Sequence, residues 1–77
     1  MKKKAPDLVS KSRDNLSGKY HLVLLWHTDE KEIRYHYMIA DSNPLQKILR
    51  KKVLRFDDWN WIKEHGKLIG KDEEEKT

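Results

Sequence analysis

The stretch that decides the fold runs from Lys19 to Ala40 and reads KYHLVLLWHTDEKEIRYHYMIA. Tyr20–His27 and Ile33–Ile39 are rich in strand formers, and the intervening Thr28-Asp29-Glu30-Lys31-Glu32 is polar and turn-like. The segment therefore predicts a β-hairpin. Side chains alternate between the two faces of a strand, so Tyr20, Leu22, Leu24 and Trp26 share one face, and Ile33, Tyr35, Tyr37 and Ile39 share one face of the partner. The two rows coincide only if Trp26 lies opposite Ile33, Leu24 opposite Tyr35 and Leu22 opposite Tyr37. A slip of one residue would turn the aromatic row to the wrong side, so this register is strongly specified. The reverse face carries His21, Val23, Leu25, His27, Arg34, His36, Met38 and Ala40, half polar and half apolar.

Working outward, Ser42-Asn43-Pro44 signals a helix start: a capping hydroxyl, then a proline where its missing N–H costs nothing. Leu45, Ile48, Leu49 and Val53 keep helical spacing. Val53–Phe56 reads either as the last turn of that helix or as a short third strand. A second helix begins at Asp57, read as the N-cap, with Phe56 and Trp61 as a hydrophobic staple, and it stops at Gly66. Lys67-Leu68-Ile69 can return to the hairpin edge. The expected architecture is a small single α+β domain, an antiparallel β-hairpin covered by two short helices, in the order ββα(β)α. Two strands alone are marginal in water, so the aromatic row must be the covered face, under Leu45, Ile48, Leu49, Trp61 and Ile62.

Apolar residues set the expected boundaries. Lys19–Ile69 holds 23 in 51 positions, against five in the first 18 residues and none in the last eight. Segments so poor in apolar surface do not offset an ordering cost of roughly 1–2 kcal/mol per residue. Residues 1–18 are accordingly expected to be a disordered basic arm, 19–69 the folded domain, and 70–77 a disordered acidic tail.

Charge is polarised along the chain. Pro44–Phe56 contains Lys47, Arg50, Lys51, Lys52 and Arg55 and no acid, a local +5 in a chain whose net charge is +4. On an ideal helix Lys47, Arg50, Lys51 and Arg55 fall on one side, away from Leu45, Ile48 and Leu49. A nucleic-acid phosphate backbone is the leading ligand for such a stripe, because each neutralised phosphate releases counterions. An acidic protein surface comes second, and a merely solvated helix face third. Lys2-Lys3-Lys4, with Lys11 and Arg13, would lengthen the stripe. Trp59 lies off the inward direction of Trp61 and Ile62, which makes it a candidate anchor at a protein interface; packing over the hairpin edge is the alternative.

Other chemistries find little support. The tyrosine and tryptophan row resembles a base-stacking platform only superficially, since without it the domain has almost no core. His21 and His36 share a strand face, but no H-x-x-x-H pair, HExxH motif or cysteine accompanies them. Asp57 and Asp58 are adjacent and point about 100° apart on a helix, so they make no carboxylate dyad. No glycine-rich phosphate loop exists. With no cysteine, no apolar run of about 18 residues and no secretory h-region, a disulfide scaffold and a membrane span are excluded and a cytoplasmic protein is expected, or a nuclear one in a eukaryotic host. The sequence thus predicts a non-catalytic regulator with no cofactor, metal, membrane or small-molecule substrate, binding nucleic acid through Lys47, Arg50, Lys51, Lys52 and Arg55. The alternative is a small modulator or inhibitor of a host protein, of viral, phage or mobile-element type, using Trp59, the hairpin edge and the basic stripe.

Overall fold

The computed structural model describes residues 5–73 and gives four strands and two helices: β1 (Leu8–Arg13), β2 (Lys19–His27), β3 (Glu32–Ala40), α1 (Asn43–Leu49), α2 (Phe56–His65) and β4 (Lys67–Glu73). The strands form one antiparallel sheet in sequence order, β1-β2-β3-β4. The fold is therefore α+β as expected, but its order is βββααβ rather than ββα(β)α. The hairpin register is the expected one, with Leu22, Leu24 and Trp26 opposite Tyr37, Tyr35 and Ile33. Thr28 closes its turn: the Thr28 N–H and hydroxyl both donate to the Lys31 carbonyl, at 2.9 and 2.7 Å.

The largest departure from expectation is β1. Leu8–Arg13 pairs along its whole length with Tyr20–Leu25, so this part of the supposed disordered arm is an edge strand. An edge strand needs main-chain partners more than buried side chains, and β1 buries almost nothing. The preceding argument from apolar content therefore does not reach it. The turn into β2 is held by Asp14, whose carboxylate accepts from the Leu16 N–H and the Ser17 hydroxyl, both at 3.0 Å. Those bonds, the Leu16 N–H first, hold the Asp14 carboxyl below its ordinary value. Gly18 closes the turn at φ +73, a conformation that side chains resist. β4 likewise extends past Ile69 to Glu73, into the supposed acidic tail. Lys2–Lys4 and Glu74–Thr77 lie outside the described residues.

Both helices cover one face of the sheet. Leu22, Leu24, Leu45 and Ile62 are fully buried, and Trp26, Tyr37, Ile39, Ile48 and Leu54 complete the core. The aromatic row is thus core, and at roughly 1.5–3 kcal/mol for each large apolar side chain it supplies most of the folding drive. Tyr37 is buried deeply enough that desolvation, with the neighbouring Tyr35, raises its hydroxyl pKa. Among the described residues no helix crosses the other face.

Ser42 caps α1 as expected, its hydroxyl accepting from the Leu45 N–H at 3.3 Å. The start of α2 differs. Arg55, not Asp57, is the N-cap, and Asp58 reaches back to accept the Arg55 N–H at 3.0 Å. Phe56 is consequently the first helical residue and meets Trp59, with ring centroids 6.2 Å apart, rather than stapling to Trp61. Val53–Arg55 is neither helix nor strand.

Gly66 joins α2 to β4 close against Ile39. A Cβ built there would lie 2.6 Å from Cγ1 of Ile39 and 2.8 Å from the Ile62 carbonyl oxygen. Gly66→Ala is expected to cost about 1–3 kcal/mol in denaturant melts, because the clash involves backbone as well as a core side chain. Gly70→Ala, whose Cβ would meet nothing within 4 Å, should stay within about 0.5 kcal/mol of the parent.

Candidate polyanion-binding surface

The basic residues of Pro44–Phe56 do not share a helix face. Helix α1 ends at Leu49, with Arg50 as its C-cap, and the chain then turns through Lys51–Leu54 before Arg55 caps α2. Only Lys47 stands on the helix proper. The expected single stripe is replaced by a corner: the end of α1, the connecting loop and the start of α2. Helix C-termini are negative, so cations at the α1 end of this corner are favourable on internal grounds, whereas Arg55 stands at the positive start of α2. Lys11 shows that effect directly, reaching over from β1 to donate to the Leu49 carbonyl at 2.8 Å.

Lys51 also has an internal partner. Its ammonium lies 2.7 Å from Oδ1 of Asp58, whose side chain is only 7% exposed while that of Lys51 is 48% exposed. Asp58 therefore ties the loop to α2 through one oxygen and caps the helix through the other. Burial pushes the Asp58 carboxyl up, but the Arg55 N–H and the Lys51 ammonium, with the Arg55 charge, outweigh it and hold the pKa below its ordinary value.

The remaining four behave differently. Lys47, Arg50, Lys52 and Arg55 are all exposed, and none makes a side-chain hydrogen bond or ion pair among the described residues. Elsewhere the cations are mostly engaged: Arg13 with Asp41 at 3.3 Å, Arg34 with Glu32 at 2.6 Å, and Lys63 over the Trp59 ring at 4.4 Å. These four cations fall within nine residues, and only Arg55 acts on a described acid, its charge helping to hold the Asp58 carboxyl ionised.

Trp59 is not a free-standing surface residue. It is half-buried, edge-on to Trp26 with centroids 5.0 Å apart, and joins the rim of the core. The exposed apolar side chains nearest the corner are Val53, 72% exposed, and Phe56, 38% exposed. Composition offered no signal that these two, rather than Trp59, would be left outside. Tyr35 and Tyr37 stack on each other beneath the helices, so their rings present no platform to bases. Among the described residues no three histidine or acidic side chains converge in a way that could hold a metal ion. No helix there is long and apolar enough to cross a membrane. Compared with known protein families, curated proteins and solved structures, the chain matches none.

Proposed function

We propose that the protein is a non-catalytic nucleic-acid-binding regulator that grips phosphates through Lys47, Arg50, Lys52 and Arg55. The observation that carries this reading is that, among the described residues, these four exposed side chains make no hydrogen bond or ion pair. Lys51 belongs to the same corner, but its first duty is to Asp58, so it adds charge without being free to reach. Such contacts position a protein on a backbone and carry no sequence information. As phosphate contacts alone, they make binding indifferent to sequence.

The test is a set of single alanine substitutions. Each of Lys47→Ala, Arg50→Ala, Lys52→Ala and Arg55→Ala should weaken binding to unrelated duplexes alike. Each should also reduce the slope of log K against log salt by about one unit, since one fewer counterion is released. Lys51→Ala should instead show its main effect in stability. A protein whose duplex affinity ignores all four substitutions does not use this corner.

A further inference from the structure

We propose that the free edge of β1 accepts an extended acidic peptide as a fifth strand, a binding mode beyond the nucleic-acid reading and independent of it. The argument begins with the ladder. The Asp14 N–H donates to the Lys19 carbonyl at 2.9 Å, and the pairs Ser12–His21, Ser10–Val23 and Leu8–Leu25 continue it at two-residue steps. In an antiparallel pair only alternate residues bond to the neighbour. The N–H and C=O groups of Val9, Lys11 and Arg13 therefore point outward, three donors and three acceptors on an edge with which no described strand pairs. The opposite edge is less suited: β4 has a register shift opposite His36 and Tyr37, a bulge of the kind that interrupts further pairing. No such shift breaks β1.

Beside this edge lies a groove of about 190 Å³ between β1 and the α1–α2 loop. Its apolar surface comes from Val9, Leu49 and Leu54, and Lys11, Lys51 and Lys52 stand around it. Lys11 and Lys51 each use one donor internally and keep two of their three N–H bonds for a ligand. The one acid at the groove, Asp7, is already engaged, accepting the His27 N–H at 2.6 Å. A strand added to β1 would send every second side chain over the groove. Charge complementarity then selects the occupant, a partner segment alternating apolar and acidic residues, held by main-chain bonds and read by the groove. A second copy of β1 fits poorly, because it would bring another Lys11 and Arg13 against the same lysines.

The probe is a fluorescein-labelled peptide of about eight residues alternating valine and glutamate, titrated into the full chain labelled with ¹⁵N. Binding should slow hydrogen exchange at the amides of Val9, Lys11 and Arg13 at least about tenfold, leaving Ser10 and Ser12 unchanged. N-methylation of every second peptide residue should weaken binding at least about tenfold in one phase and little in the other. Lys52→Met, a surface change that leaves the fold intact, should weaken it several-fold. Equal effects of the two methylation phases, or no added protection at the three amides, would overturn the proposal, as would equal binding of an oligoglutamate of the same charge. A duplex titration of the same sample separates the two claims: duplex binding without amide protection sinks this inference alone, and protection without duplex binding sinks the other.

Discussion

Ile62→Ala is expected to leave the chain largely unfolded at room temperature. Ile62 is fully buried where α2 meets the sheet, and Ile39 from β3 and Leu45 from α1 belong to the same core. Truncating such a side chain costs about 2–5 kcal/mol, the lost transfer energy plus that of the cavity left behind. A 77-residue chain with no cysteine to form a disulfide holds only a few kcal/mol in reserve. Leu24→Ala should behave alike, since Leu24 is fully buried at the centre of the sheet. Val53→Ala is the contrast: a 72% exposed side chain whose loss should shift the midpoint by no more than about 0.5 kcal/mol. Urea melts followed by tryptophan fluorescence report all three, and a cooperative Ile62→Ala transition near that of the parent would show that α2 is not packed on the sheet.

Asp58→Ala should be nearly as damaging, and for an electrostatic reason. It removes the acceptor for the Arg55 N–H and the partner of Lys51 together, leaving the start of α2 uncapped. Losing a cap of this kind costs about 0.5–2 kcal/mol, and the charge-assisted bond to Lys51 adds to it. Asp58→Asn should cost less, because the amide oxygen can keep the cap while the ion pair is lost. The pH dependence separates these parts. Asp58 has its pKa lowered by folding, so its stabilisation is fully present above the unfolded value of about 3.9 and disappears as pH falls through the folded value. The parent should therefore lose its advantage over Asp58→Asn between about pH 4 and the acid limit, and keep it unchanged from pH 5 to 7. An advantage independent of pH would mean that the Lys51 pair contributes nothing.

What could be read from the sequence divides along a physical line. The hairpin, its register, the covered face and the Ser42 cap were all legible, because burial forces a period of two or 3.6 onto the residues involved. β1 was not, because past Val9 the run Ser10-Lys11-Ser12-Arg13 is exposed and held by main-chain bonds that leave no hydrophobic trace. A usable signal did stand next to it: Asp14-Asn15-Leu16-Ser17-Gly18 is a turn sequence, and a turn followed by a strong strand implies a strand before it. The basic corner was legible as charge but not as shape. Helical spacing through Val53 projects a continuous helix, whereas α1 stops at Leu49 and Lys51 folds across to Asp58. An ion pair seven residues apart across a loop has no periodic signature. For Trp59 the wheel position left packing over the hairpin and an exposed anchor both open: it lies off the Ile62 direction, yet Trp26 is large enough to meet it there.

The most direct test of the functional account is the salt dependence of binding to a labelled duplex of arbitrary sequence, followed by fluorescence anisotropy between about 50 and 200 mM salt. Four phosphate contacts predict a slope of log K against log salt of about −3.6, the same for unrelated sequences. Replacing Lys47, Arg50, Lys52 and Arg55 together by alanine should bring that slope close to zero while the urea midpoint stays near that of the parent. No binding at 50 mM salt, or a slope that survives the fourfold substitution, would contradict the assignment of this corner to nucleic acid.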